Sequence, residues 1–273
     1  MLPAFLLTLR EGLEIALILG IVLGALKKFE RTDLYSSVWL GLLSATAASL
    51  VLAALIQGLG TSLEGYQEEI FEGVMMLLAA GMLTWMIFWM QRHARDLQRT
   101  LEGSVQQASL DSGTKAIFLL TAFAVLREGF ELAVFLSAAV LASDVQQAGV
   151  GALLGLAAAA LLGWGLFATT VRLNLRLFFQ VTSVLLILFA AGLVAHGVHE
   201  LNEAGLIPSV VEHVWDINSL LNEDSGLGSI LTALFGYNGN PSLSEVIAYL
   251  GFFLAISWGL KENAMVPRIK QGV

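Results

Sequence analysis

The 273-residue chain is 57% hydrophobic and only 13% charged, whereas a soluble domain carries about 25% charged residues. This composition excludes an ordinary soluble domain and predicts an all-α membrane protein with several transmembrane helices. The net charge of −8 is unevenly distributed, and the absence of cysteine excludes disulfides and thiolate metal sites.

Seven apolar runs are long enough to cross a hydrocarbon layer about 30 Å thick as helices. They cover residues 2–26, 38–59, 70–90, 116–142, 150–171, 177–198 and 243–260. The first run contains charged residues and lacks a cleavage site, which indicates a retained span rather than a signal peptide. Nearly all Lys and Arg residues fall in the first, third and fifth connections and the C-terminal tail. The positive-inside rule therefore predicts an outside N-terminus and a cytoplasmic C-terminus.

A charged pattern occurs twice inside these runs. Residues 10–14 read Arg-Glu-Gly-Leu-Glu (motif 1), and residues 127–131 read Arg-Glu-Gly-Phe-Glu (motif 2). An ionisable residue at the centre of a spanning helix costs about 2.5–3.5 kcal/mol, so such a residue indicates a site on a substrate or ion path. The two Glu of each motif share a helical face, and the Arg can pair with the second Glu, four residues on.

Together the motifs supply four carboxylates and two guanidinium groups, a net charge of −2 that suits a small hard cation with oxygen ligands. A buried ion pair that only joins helices is the alternative, but it needs one acid for each Arg, and each motif has two. The predicted metal ligands are Glu11, Glu14, Glu128 and Glu131, and their charge partners are Arg10 and Arg127.

The two motifs lie in span triplets of opposite orientation, which is the inverted-repeat plan of secondary transporters. The small-residue segments 79–83 and 190–194 recur at a similar offset. Both motifs fall roughly 12–17 Å into the membrane, near the midplane where such transporters bind substrate. Gly12 and Gly129 predict a close approach of the two motif helices, with ordinary helix packing as the alternative.

A single transmembrane domain is predicted over residues 1–273. Its parts are repeat one at 1–91, a partly helical cytoplasmic loop at 92–115, repeat two at 116–198, an outer loop at 199–242 and a seventh helix at 243–261. Within the outer loop, apolar residues spaced as on one helical face predict an amphipathic helix on the outer interface. These residues are Val210, Val214, Ile217 and Leu221.

Two further polar groups lie near the predicted outer surface. Glu69 and Glu72 predict part of an entrance path for a cation, although acids are also favoured at a helix N-terminus by the macrodipole. Four residues near the end of the sixth span recur at i, i+3, i+4 and i+7 and form a candidate accessory metal group; ordinary hydrogen bonding is the alternative. They do not match the His-Glu-x-x-His pattern of zinc proteases. These residues are His196, His199, Glu200 and Glu203.

Both motifs resemble the Arg-Glu-x-x-Glu signature of the oxidase-dependent iron transporter family, which includes fungal high-affinity iron permeases and the bacterial Efe-type iron permease. Segments 69–73, 84–90, 203–206, 235–237 and 244–246 also resemble that family, so the resemblance covers nearly the whole chain. It implies a seven-span permease, not an enzyme, that imports Fe²⁺ or Fe³⁺. The four motif Glu residues would be iron ligands, and the acids that open the third span would be part of the entrance path.

The resemblance further implies a multi-pass protein of the bacterial inner membrane, because the chain ends soon after the seventh span. Iron is then the transported substrate, no cofactor is needed, and lipid surrounds the chain. An extracytoplasmic iron-oxidising or iron-delivering protein is the expected partner, and nucleic acid is not. His196 and His199 are outside the family signature. The alternatives are transport of another divalent cation, such as Mn²⁺ or Pb²⁺, and an intramembrane hydrolase that uses the paired carboxylates with the His199–Glu203 cluster.

Overall fold

A computed structural model describes residues 1–93, 97–111, 113–143, 145–168, 175–219 and 235–265, together with 221, 222, 225, 228, 231 and 232. The described residues form α-helices and no β-strand, which confirms the all-α fold class. A single 3₁₀ turn, Thr32–Leu34, precedes the second helix. The eight α-helices in the described part of the chain are Leu2–Lys28 (α1), Tyr35–Gly60 (α2), Tyr66–His93 (α3), Leu97–Asp111 (α4), Thr114–Leu141 (α5), Val145–Ala168 (α6), Leu175–Glu203 (α7) and Leu243–Met265 (α8).

Among the described residues, five helices are long and apolar enough to cross a membrane, namely α2, α3, α6, α7 and α8. Helices α1 and α5 are 27 and 28 residues long, but each carries a charged motif in its interior. The chain is therefore a multi-pass membrane protein. We call the side of the bundle at which α1 begins the Met1 face and the side at which α1 ends the Lys28 face.

Sequence signals mark several helix ends. Pro3 lies in the first turn of α1, where its missing N–H would have no helical partner, and Lys27 and Lys28 lie in the last turn, where cations complement the helix dipole. A capping box begins α8. The Ser242 hydroxyl accepts from the Glu245 N–H at 3.3 Å, and the Glu245 carboxylate accepts from the Ser242 N–H at 3.1 Å.

Three helix pairs form the body of the bundle: α1 with α6 and α2 with α5, both parallel, and α3 with α7, antiparallel. Glycines bring the backbones of the parallel pairs together. A Cβ at Gly41 of α2 would lie 2.9 Å from the carbonyl oxygen of Phe118 in α5, and a Cβ at Gly151 of α6 would collide with the carbonyl oxygen of Met1. Helix α1 also packs against α5, and this contact joins the two motif helices.

Gly12 and Gly129 do not lie between α1 and α5, so the predicted reason for these two glycines is wrong. A Cβ at Gly12 would lie 2.6 Å from the Cβ of Ala159 in α6, and a Cβ at Gly129 would lie 2.7 Å from the Cβ of Ser49 in α2. Each glycine follows a motif Glu by one position, which rotates it by about 100° around the helix axis. The motif glutamates therefore face the α1–α5 contact, whereas Gly12 faces α6 and Gly129 faces α2.

The largest core cluster lies where α3, α5 and α7 meet the first turns of α1. The small-residue segments that recur in α3 and α7 contribute Ala79, Ala80 and Ala190 to this cluster, all within 1% of complete burial. Phe135 of α5 belongs to the same cluster and is fully buried. This cluster thus packs the helix that carries motif 2 against α3 and α7.

The structure describes two segments that lie outside the predicted spans. The loop 92–115 contains α4, whose apolar stripe at Leu101, Val105 and Ala108 packs against α1 and α5. The amphipathic helix predicted near residues 210–221 is wrong, because residues 206–217 are not helical. Their backbone groups bond to the segment before α8 instead: the Val214 N–H donates to the Pro241 carbonyl at 3.0 Å and the Ile217 N–H to the Gly239 carbonyl at 2.9 Å.

The segment before α8 enters the bundle from the Met1 face. Gly236 adopts φ 65° in a turn of the αL type, in which its N–H donates to the Thr232 carbonyl, and the Tyr237 N–H donates to the Leu231 carbonyl. The backbone of Gly236 lies directly against Gly192 of α7. Gly192 is 11 residues before the end of α7 at Glu203, so the turn reaches about 16 Å into the bundle.

We expect Gly41→Val to destabilise the bundle, because its side chain would force α2 away from the backbone of α5. Overpacking of this kind costs about 1–3 kcal/mol. Gly58→Val is the matched control on the same helix, because nothing lies within 4 Å of a Cβ at Gly58. Thermal unfolding in detergent measures the difference. Equal melting temperatures for the two variants would contradict the close α2–α5 contact.

Candidate metal centre

Three carboxylates meet where α1 crosses α5. Each of Glu11, Glu128 and Glu131 offers one oxygen atom, and these three atoms lie within 4.8 Å of one another. All three side chains are buried, with 0%, 5% and 4% exposure. It is the one group of three close metal-binding side chains in the part of the chain that the structure describes.

Most oxygens of this cluster accept no hydrogen bond from a protein group. Both oxygens of Glu11 and the Oε2 atoms of Glu128 and Glu131 are buried and unpartnered. A buried carboxylate without partners is strongly unfavourable, and three of them together also repel one another. Oxygen-only ligands at this spacing match the preference of hard or borderline divalent cations. The cluster is therefore a candidate metal centre, which we call the Glu triad.

Arg10 is paired with Glu14 and is completely buried. Its Nε donates to Glu14 Oε1 at 3.1 Å, which is the i, i+4 pair expected from motif 1. Its Nη2 donates to the sulfur of Met90 in α3 at 3.4 Å, and its Nη1 has no hydrogen-bond partner. Glu14 stays with Arg10 and is not part of the Glu triad. The structure thus brings three of the four predicted ligands together and leaves the fourth on an arginine.

Arg127 has a different environment, although its pairing is the same. Its Nε lies 3.1 Å from Glu131 Oε1 and 3.9 Å from Glu128 Oε1. The guanidinium carbon lies 4.5 Å from the ring centroid of Trp89 and 5.9 Å from that of Trp85, both on α3. These are cation–π distances. The Arg127 side chain is 40% exposed, whereas the Arg10 side chain is 0% exposed.

Two cavities lie on opposite sides of the Glu triad along the bundle. On the Met1 face, a cavity of about 250 Å³ is lined by Glu68 and Glu72 of α3 and by the last turns of α2 and α5. On the Lys28 face, a cavity of about 340 Å³ is lined by the second half of α1 and by Glu102 of α4. Lys28 and Glu102 form an ion pair of 3.3 Å there.

Glu72 lines the Met1-face cavity, and Glu69, three residues earlier on the same face of α3, is not among the residues that line it. Both glutamates are half-buried and lie within electrostatic range of Glu200 in α7. The two predicted entrance residues and Glu200 therefore form one group of neighbouring acids between α3 and α7. Their role as an entrance path stays a prediction.

The four residues of the predicted accessory metal group do not converge on one point. His199 Nδ1 lies 3.1 Å from Glu245 in α8 and its Nε2 lies 3.4 Å from Glu203, so this ring joins α7 to α8. His196 Nδ1 faces the Gly192 carbonyl at 3.0 Å. A metal role for His196, His199, Glu200 and Glu203 stays a prediction, and the geometry described here is that of hydrogen bonding.

Sequence reasoning assigned no role to several residues that contact the charged groups. Trp85 and Trp89 are four residues apart, and this spacing on one helical face could have indicated a shared partner. Glu245 could have been found from the Ser-x-x-Glu capping pattern. The other two residues of this kind, Met90 and Glu102, gave no signal, because their partners lie on helices distant in sequence.

The chain belongs to the Iron permease FTR1 family, which it matches over residues 1–262. It is 37% identical to the ferrous iron permeases EfeU of Shigella sonnei and of Escherichia coli O157:H7, over 98% of this chain and 97% of theirs. It is 35% identical to the ferrous iron permease EfeU of Yersinia pestis, over 93% and 91% of the two chains. No solved structure matches it significantly. Permeases are transporters, and this membership excludes the intramembrane hydrolase.

Two neutralising substitutions in motif 1 should have opposite effects on stability. Glu14→Gln leaves Arg10 as a buried charge without a counterion, which costs about 3–5 kcal/mol. Glu11→Gln removes one of three mutually repelling carboxylates and should raise the melting temperature by about 2–4 °C, equivalent to about 1 kcal/mol in a chain of this size. Thermal unfolding with a chelator present measures both. Equal destabilisation by the two substitutions would contradict the distinct environments of these glutamates.

Proposed function

We propose that this chain is an iron permease that takes up Fe²⁺ through the Glu triad. The observation that carries the proposal is the set of buried, unpartnered oxygens of Glu11, Glu128 and Glu131 within 4.8 Å of one another. The family and the relatives named as ferrous iron permeases support iron as the substrate. Glu14 acts mainly as the counterion of Arg10.

Charge balance supports a divalent ion. As ionised metal ligands, the three carboxylates of the Glu triad would carry −3 and Arg127 would contribute +1, so the net charge around the ion would be −2, while the Arg10–Glu14 pair is neutral. Fe²⁺ would neutralise this charge, whereas Fe³⁺ would leave an excess positive charge at a buried position. Mn²⁺ or Pb²⁺ would also balance it. Competition of these ions with iron for uptake separates the two alternatives.

We further propose seven spans arranged as two inverted repeats, α1–α3 and α5–α7, with α8 outside them. Contacts between the paired helices recur at fixed offsets, which supports this plan. Residues of α1 correspond to residues of α5 that lie 117 positions later, and residues of α2 correspond to residues of α6 that lie 110 positions later. Gly41 of α2 approaches the carbonyl oxygen of Phe118 in α5, and the corresponding Gly151 of α6 approaches the carbonyl oxygen of the corresponding Met1. The contacts at the motif glycines follow the same offsets: Gly12 of α1 approaches Ala159 of α6, and the corresponding Gly129 of α5 approaches the corresponding Ser49 of α2.

The two cavities support alternating access across these repeats. Positions 20, 24 and 28 of α1 line the Lys28-face cavity, and positions 137, 141 and 145 line the Met1-face cavity. The second set is the first set plus 117, so the cavities occupy corresponding places in the two repeats. Iron enters past Glu72 on the Met1 face, binds the Glu triad, and leaves past Glu102 on the Lys28 face. Rocking of the repeats opens one cavity while it closes the other.

The positive-inside distribution supports an outside Met1 face and a cytoplasmic Lys28 face. With the bacterial relatives, it supports a location in the bacterial inner membrane. An extracytoplasmic protein that oxidises or delivers iron would then dock on the Met1 face, where Glu64 and Glu68 are exposed next to the cavity that Glu68 lines.

Each of Glu11→Gln, Glu128→Gln and Glu131→Gln should lower iron uptake into proteoliposomes by about 100-fold or more, because each removes a charged ligand and leaves a net charge of −1. Exposed Glu212→Gln, outside the helices, is the control and should transport at the wild-type rate. The assay uses radio-iron with a reductant. A Glu128→Gln protein that inserts normally and takes up iron at the wild-type rate would refute the proposed site.

Single cysteines can test the two cavities, because the chain contains none. Leu141→Cys should react with a membrane-impermeant thiol reagent from the outside only, and Gly24→Cys from the cytoplasmic side only. Leu50→Cys, on an apolar and 67% exposed position of α2, should react from neither side. Labelling in right-side-out and inside-out vesicles measures this. Reaction of both cavity cysteines from the same side would contradict the proposed access paths.

A further inference from the structure

The two arginines of the motifs correspond in sequence but not in environment. We infer that Arg127 is the mobile partner, which leaves Glu128 and Glu131 when iron binds, and that the indole rings of Trp89 and Trp85 stabilise it after it has left. Arg10 keeps its place in both states. This inference rests on the proposed function and assigns a positioning role to α3, the helix that contacts both guanidinium groups.

Arg10 has no alternative position. It is completely buried, and its described partners are Glu14 and the weak acceptor sulfur of Met90. If iron took Glu14 away, Arg10 would remain as a buried charge without a counterion, at a cost of several kcal/mol. The Arg10–Glu14 pair therefore stays intact, and the ion is held by the Glu triad, which does not include Glu14.

Arg127 is bonded to the carboxylates that iron needs. Its Nε is 3.1 Å from an oxygen of Glu131 and 3.9 Å from an oxygen of Glu128, and both glutamates belong to the Glu triad. Iron cannot collect both carboxylates at full strength while the guanidinium holds them. The 40% exposure of the Arg127 side chain leaves it room to turn.

The indole rings supply the alternative partner. Trp85 and Trp89 are one helical turn apart with centroids 6.5 Å from each other, so their rings lie along one side of α3. The Arg127 guanidinium already lies over both rings while it contacts the carboxylates. A short movement away from Glu131 would keep the cation on an aromatic face, where the attraction is worth about 0.5–2 kcal/mol.

Loss of the rings should weaken iron binding, because it acts unequally on the two states. Without iron, Arg127 keeps Glu131 as a counterion whether or not Trp89 is present. With iron bound, the carboxylate is occupied and the rings are the main remaining partners of the cation. A substitution at Trp89 therefore destabilises the iron-bound state more than the empty state, and only this difference changes the affinity.

A double-mutant cycle tests this role, with Fe²⁺ dissociation constants measured anaerobically on the full chain in lipid nanodiscs. Trp89→Leu should raise the dissociation constant about tenfold in the wild-type background, whereas in an Arg127→Gln background it should change it less than about twofold. Trp89→Phe keeps a weaker aromatic face and should raise it about threefold. Phe88→Leu is the matched control, because Phe88 packs against Gly259 of α8, and it should leave the constant within about twofold.

The outcomes separate the inference from the proposed function. An equal effect of Trp89→Leu in both backgrounds would mean that Trp89 acts through packing and would overturn the inference. If Trp89→Leu does not fold, Trp89→Phe is compared in the same two backgrounds. An equal loss of Fe²⁺ affinity in the Arg127→Gln background would then overturn the inference. Undiminished Fe²⁺ binding by Glu128→Gln would instead overturn the proposed site.

Discussion

Three carboxylates held against one another in the interior of a helical bundle are the constraint on which this structure depends. Their mutual repulsion and the loss of water oppose folding, and the rest of the bundle must offset both effects. Close backbone contact does this on two sides. Helix α1 is fixed to α6, and α5 is fixed to α2, through glycines that admit no side chain between the helices. The α1–α5 crossing is thus held from outside, so that it does not depend on attraction between its own side chains.

The proposed inverted repeats would make the backbone close to symmetric, and the site is not symmetric. Corresponding glycines, cavities and motifs occupy related positions in the two halves of the chain. Helix α3 breaks the equivalence, because it offers a thioether to Arg10 and two indole rings to Arg127. A strictly symmetric site would hold its two arginines equally and would have no preferred order of events. Because the two arginines have different neighbours on α3, we expect Arg10 and Arg127 to have different roles.

Sequence alone was informative where chemistry is local to one helix. The spacing of motif 1 predicted the Arg10–Glu14 pair, and the identical spacing of motif 2 predicted Arg127–Glu131; both pairs are 3.1 Å long. Helical periodicity tells which residues share a face but not which neighbour that face meets. For this reason Gly12 and Gly129 were assigned to the wrong helix pair.

The same limit applies to Glu14, whose role as a fourth ligand stays a prediction. Its spacing from Glu11 allows convergence, but its bond to a completely buried arginine decides its position. The apolar stripe in residues 210–221 has helical period, yet those backbone groups bond to residues 239–243, which lie near them only after folding. Conversely, the family resemblance of residues 84–90 gave no hint of what Trp89 contacts. That required the relative placement of α3 and α5.

The capping box of α8 has a mechanical consequence. Glu245 receives hydrogen bonds from the Ser242 backbone and from Asn238, and it also meets His199 of α7, while Asn202 of α7 bonds to the Ser242 hydroxyl. The end of α7, the start of α8 and the segment that follows the turn at Gly236 are therefore joined by hydrogen bonds at one corner of the bundle. In the proposed rocking of the repeats, a tilt of α7 would therefore move this whole corner with it.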